Sequence, residues 1–283
     1  MQPMTNDARL PKLNLVATVM VGILAASVVL AWTTTRTHKA TTSGGAGIIS
    51  KLTDDTLDSY WTTERKERWF IGKKKDVEKI DWTMRSSGLK SPGVFSGYSV
   101  LGNPGGSPSK GEWTIRTDLS SGYYVGRNYG PDEKPVSETH ITLTKTHVAV
   151  TVIHNKHGRR FNSTSPRPKD YMPEGTFHLI MGLVAAGGEE VRVKMILDDH
   201  AITRRGSVNF VDVRLIPLRN NVVRVRAVRP RLMATTDYHL DSNHNVYRYE
   251  YPDMGLVYRM EPRQSVMETF GMSEDEPAVR SAP

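Results

Sequence analysis

Ten short segments between residues 77 and 260 alternate Val, Ile, Thr and Tyr with polar residues, and Gly, Pro, Asn and Asp punctuate the gaps between them. Alternation sends successive side chains to opposite faces and the breakers supply turns, so this stretch is constrained to an antiparallel β-domain. The segments are VEKIDWTMRS (77–86), EWTIRTDL (112–119), THITLTKT (139–146), HVAVTVIHN (147–155), EVRVKMIL (190–197), VNFVDVRLIPL (208–218), VVRVRAV (222–228), TTDYHLD (235–241), NVYRYEY (245–251) and GLVYRM (255–260). LGNPGGSPSKG (101–111) and STSPRPKD (163–170) are too rich in Pro and Gly for a sheet interior and read as loops. A single helix interrupts the strands: PEGTFHLIMGLVAAGG (173–188) has Pro173 near its start, an apolar face of Leu179, Ile180, Leu183 and Val184, and Gly187 and Gly188 as its stop. It is expected on one face, or at one end, of a curled sheet.

Upstream lies a different kind of segment. Leu13 to Trp32 runs twenty residues without a charge, and at about 1.5 Å per residue it matches the roughly 30 Å of a bilayer core. The apolar residues go all round the helix, and the run is longer than the roughly 7 to 15 residues of a signal-peptide core. An uncleaved anchor is therefore expected, with cleavage near Ala31 as the alternative. Arg9 and Lys12 precede the segment while Arg36 and Lys39 follow it, so the positive-inside rule discriminates little. A twelve-residue leader and a long tail fit an N-in anchor with the β-domain exported. The expected organisation is a leader (1–12), a transmembrane helix (13–32), a tether and lead-in rich in Thr, Ser and Gly (33–68), a β-domain (69–262) and an acidic flexible tail (263–283).

Composition excludes several chemistries. The chain has no cysteine, so disulfides, thiolate metal sites and a Cys nucleophile are absent. His140, His147 and His154 recur every seven residues with His157 beyond, but no carboxylates sit at ligand spacing, and no metal site or cofactor is expected. Asp241, Asn243 and Asn245 imitate the start of a calcium loop, yet the sixth position is Val246 and the twelfth Pro252, so a polar β-turn is the better reading. No nucleophile or phosphate-gripping motif is present, and an enzyme is unsupported. If an envelope hydrolase were hidden here, Asp237, His239 and Asp241, alternating on one strand, would be its first candidates.

Two surfaces remain as ligand-binding candidates. With 38 Lys+Arg against 30 Asp+Glu the net charge is +8, and in VVRVRAV Arg224 and Arg226 share a face opposite Val223, Val225 and Ala227. That cationic face suits an acidic envelope protein or anionic head groups, and an exported domain makes nucleic acid an unexpected partner. Tyr247, Tyr249 and Tyr251 also share one face, which suits an apolar groove for an acyl chain or lipoprotein.

Trp69, Phe70 and Gly72 in WFIGKKK, YMPEG (171–175) leading into the apolar helix, EVRVKMIL and YHLDSNHNVYRYEYPDMGLVYRM (238–260) together resemble the β-domain of exported bacterial proteins of uncharacterised function, including the domain that precedes some transglutaminase-like modules. KKKDVEKI departs from that pattern by lacking a glycine after the first Lys. The resemblance implies a curled antiparallel sheet, a half-barrel wrapped on a helix as in lipoprotein carriers, and brings no catalytic residues. The expected protein is mainly β, with an N-terminal transmembrane helix and a half-barrel carrying one short packed helix, acting as a non-catalytic binding or assembly module of the bacterial envelope.

Overall fold

The computed structural model describes residues 43–44, 66–74, 77–102, 108–131, 134–197, 201–228 and 233–272. The expected leader, anchor and most of the tether lie outside the described residues, and among those described no helix is long and apolar enough to cross a membrane.

The described chain is mainly β. Its strands are β1 (Ser43–Gly44), β2 (Lys66–Lys74), β3 (Val77–Ser91), β4 (Val94–Gly102), β5 (Ser109–Arg116), β6 (Gly122–Tyr129), β7 (Pro135–Leu143), β8 (His147–His154), β9 (Arg159–Pro166), β10 (Val191–Met195), β11 (Val211–Leu218), β12 (Val222–Val228), β13 (Met233–Leu240), β14 (Val246–Tyr251) and β15 (Leu256–Glu261). The helices are α1 (Phe177–Gly187), entered through a 3-10 turn at Glu174–Thr176, and α2 (Arg263–Phe270). All strands form one unclosed sheet in the order β1-β10-β11-β12-β13-β14-β15-β2-β3-β4-β5-β6-β7-β8-β9. Every neighbouring pair is antiparallel except the two-residue β1 on β10. The first and last long strands, β2 and β15, are neighbours, and the sheet is open between β9 and β10, where the chain departs to make α1.

Curvature follows from two contacts. A Cβ on Gly175 would strike the Trp113 ring of β5, while Phe177, two residues on, packs edge-on against Tyr238 of β13 at 5.7 Å. In a flat sheet β5 and β13 would stand six strand spacings, about 29 Å, apart. The sheet therefore curls around the turn that starts α1. Inner-face side chains from β10 through β8 join Ile180, Met181 and Val184 of α1 in one core, and α1 packs on β11 and β12. The curled antiparallel sheet with a helix packed on it follows the strand pattern, and the open sheet is consistent with the half-barrel that the resemblance implied.

Several details differ from the sequence expectation. β1, β2, β4, β6 and β9 are strands beyond the ten segments read from the sequence. Gly97, Gly111 and Gly122 are sheet residues, not turns; at Gly97 a Cβ would overlap Trp113 and the backbone of Ser86, so the glycine makes room for an indole on the inner face. β9 is polar because it is an edge strand, and Ser163–Pro166, expected in a loop, complete it; Ser109–Gly111 likewise open β5. Residues 263–270, expected as tail, form α2. It covers the outer face of β2 with Val266 and Phe270, sealing a second core of Trp69, Ile71, Trp82, Met84 and Val100.

Candidate ligand site on the concave face

Pairing register lines up a row of side chains across the inner face. Tyr238, Tyr249 and Tyr258 stand directly opposite one another on β13, β14 and β15, followed by Gly72 on β2 and Asp81 on β3. The three rings stack, with centroids 5.6 Å and 4.5 Å apart. Because Gly72 has no side chain, the Tyr258 ring crosses β2 and its hydroxyl donates to Asp81 Oδ2 at 2.7 Å; a Cβ there would collide with both partners. One step along, the hydroxyls of Thr83 and Tyr249 share a hydrogen bond of 3.0 Å, and Phe70 meets Tyr249 edge-on. Burial raises all three tyrosine hydroxyls above their usual range. Burial also raises Asp81, with the Tyr258 hydrogen bond opposing it.

The neighbouring row brings two cations together, Arg68 on β2 opposite Arg85 on β3. Arg68 donates to Asn245 Oδ1 at 2.6 Å; burial pulls it down to about 10, with Asp241 opposing and Arg85 assisting. Arg85 lies over the Trp113 ring, 4.8 Å from its centroid, and its Nη2 donates to the Glu174 carbonyl at a long 3.4 Å. Burial lowers it too, offset by the field of Glu174. At the margin of the same face the register places Leu101 opposite Thr83 and Met260 opposite Phe70; both stay exposed, at 41% and 47%.

The sequence-predicted residues divide between the two faces. Tyr249 stands in the stacked row, and Tyr251 is half-buried beside it, edge-on to Tyr249 and Tyr258 at 6.1 Å each. Tyr247 is turned out of that face, a correction to the shared stripe. It is the extra residue of a β-bulge opposite His239–Leu240, is 43% exposed, and packs against His239 at 6.3 Å. Arg224 lies on the outer face as its alternation predicts, with Val223 and Val225 buried beneath it. Both arms of its guanidinium donate to Asp237, at 2.7 Å each, so its charge is locally compensated. Arg226 sits between Arg214 and Thr235 on neighbouring strands.

The trio Asp237, His239 and Asp241 does not converge. Asp237 is taken by Arg224, His239 lies 3.2 Å from Glu250, and Asp241 Oδ1 accepts from the backbone N–H groups of Asn243 and Asn245 in a turn. That turn is the polar β-turn expected in place of a calcium loop. Among the described residues no group of His, Asp and Glu is arranged to hold a metal. His140 bonds Tyr123, His147 bonds Thr146, and His154 packs on Phe161.

Asp81, Arg85, Trp113, Tyr238 and Tyr258 were not singled out in the sequence. Tyr258 and Asp81 are 177 positions apart, and the pairing of β15 with β2 alone unites them. The legible signal was the glycine in an otherwise regular strand, Gly72, which marks a side chain crossing over it.

No known family model matches the chain, and no curated protein matches it. Among solved structures it is similar to a β-barrel-like protein of a domain of unknown function, DUF1849, from Brucella abortus, with a TM-score of 0.42 and 10% identity over 69% of this chain and 94% of that chain. That likeness says nothing about chemistry.

Proposed function

We propose that the protein is a non-catalytic binding module of the bacterial envelope, held in the cytoplasmic membrane by Leu13 to Trp32 with its β-domain on the extracytoplasmic side, and that its concave face receives an acyl chain of a lipid or lipoprotein. The observation that supports this reading is the partial cover of that face. α1 packs on β11 and β12, while apolar side chains of β4 and β15, Leu101 and Met260, remain open beside the stacked tyrosines. Open apolar surface beside aromatic rings and a few polar groups is the general make-up of a small-molecule site. The similarity to lipoprotein-carrier half-barrels, and to the domain that precedes transglutaminase-like modules, belongs to the same reading.

The test is purification of the full chain from its own membranes, with extraction and mass analysis of bound lipid. A Leu101→Glu/Met260→Glu variant is expected to fold, because both positions are exposed, and to lose the lipid. Equal lipid content in the two proteins contradicts the concave-face site. A second reading, docking of an acidic partner on the outer face at Arg224 and Arg226, is tested by the charge-reversed pair R224E/R226E. Under the acyl-chain reading that variant retains its lipid; Arg224 would have to release Asp237 before it served a partner.

A further inference from the structure

We propose that the concave face carries an oxyanion site centred on Arg85, completed by Ser87 and Trp113, which takes the carboxylate or phosphate end of the ligand. The inference rests on the acyl-chain reading of that face and names the chemistry of the ligand's other end.

Three donors carry it. Arg85 Nε, Ser87 Oγ and Trp113 Nε1 are all buried, and none has a hydrogen-bond partner among the described residues. Ser87 and Trp113 are 1% and 3% exposed, so leaving their donors unused is costly, on the order of 1–3 kcal/mol each. The three belong to one place. Register sets Ser87 and Trp113 on either side of Gly97, a Cβ on Gly97 would touch Trp113 Cζ2 at 2.5 Å and Ser87 Cβ at 2.8 Å, and the Arg85 guanidinium lies over the same indole. A Cβ on Gly175 would meet Cδ1 and Cγ of the same indole at 2.5 Å, so Gly175 lies against the five-membered ring that carries the N–H.

Charge points the same way. Arg85 projects from the inner face of β3, yet among the described residues no carboxylate lies within ion-pair distance of it; Glu174 acts on it through its field and its backbone carbonyl. Arg68 beside it adds a second cation, one already bonded to Asn245. A guanidinium lacking an ion-pair partner, flanked by two idle donors, is complementary to an oxyanion. Register sets Arg85 opposite Ser99, one same-face row from the Thr83–Leu101 pair, which puts that anion next to the apolar margin where a chain would lie.

The experiment compares three probes sharing one chain: oleate, oleoyl lysophosphatidate and oleyl alcohol, titrated into the full-length protein in mild detergent. At least one anion is expected to bind about tenfold or more tighter than the alcohol. Oleate alone showing the preference assigns a carboxylate ligand, and the lysophosphatidate alone assigns a phosphate ester. Arg85→Gln is expected to abolish the preference while leaving alcohol binding in place, and Arg85→Lys to retain part of it. Should Arg85→Gln not fold, Ser87→Ala reports instead, with a several-fold weaker preference expected. Equal binding of all three probes, or a preference that survives Arg85→Gln, overturns the oxyanion site while the acyl-chain reading stands. Binding of none overturns both.

Discussion

Gly72 is the residue on which the inner row depends. It lets Tyr258 reach Asp81 across an intervening strand, and a methyl group there would overlap both partners. Gly72→Ala is therefore expected to destabilise the protein by about 1–3 kcal/mol, read as a lower midpoint in urea. Two carboxylates should respond to pH in opposite senses. Burial raises Asp81 above its ordinary value of 3.8, so the folded state binds its proton more readily than the unfolded chain, and this group's contribution to stability falls as pH rises from the unfolded value through the folded one. Asp81→Asn should thus compare more favourably with the parent at pH 7 than at pH 4; the reverse trend would show that Asp81 is stabilised as a carboxylate. Glu190 behaves the other way. The Arg214 hydrogen bonds, at 2.6 and 2.8 Å, lower it below 4.5, so its contribution is present above that value and disappears as pH falls through the folded one. Glu190→Gln is expected to cost about 1 kcal/mol near neutrality and progressively less in acid.

Elements built on alternation were legible from residues alone, and those built on exceptions were not. β8 reads out of HVAVTVIH because Val148 and Val150 face the core while neighbours do not, and α1 reads out of its glycine stop and apolar face. β4 and β6 were hidden because their glycines, ordinarily turn signals, serve here to admit Trp113 and to pack against Ile115. β9 was hidden because an edge strand has no need of an apolar face. The Tyr247 stripe failed for a related reason: a bulge adds one residue to β14, and a one-residue insertion reverses the face of what lies beyond it. α2 was missed because a short helix shows only Val266, Met267 and Phe270 as its apolar side, beside an acidic run that suggests a tail. Val266 is fully buried over Trp69 and Trp82, so Val266→Ala should cost about 1–2 kcal/mol and shift tryptophan fluorescence toward that of solvent-exposed indole. A loss within error of zero would mean that α2 rests on the sheet without sealing it.

At the scale of the whole molecule, the sheet winds around α1 from two open edges, β9 on one side and β10 with its short β1 partner on the other. Closure over β11 and β12 is apolar and filled, whereas the face of β2, β3, β14 and β15 holds tyrosines, Asp81, Arg68 and Arg85, with open apolar side chains at its margin. The chemistry of the candidate site was not legible in the sequence because its members come from strands at opposite ends of the chain and meet only when β15 pairs with β2. What alternation did reveal, the buried Tyr249 and the cationic outer side of β12, sits on the two faces that the two functional readings use. The most direct test of the concave-face site is mass spectrometry of the native full-length protein under conditions that preserve bound molecules. The expected result is a full-length chain carrying one acyl-bearing anion, which the Leu101→Glu/Met260→Glu variant lacks; a full-length chain free of lipid in both proteins would contradict it.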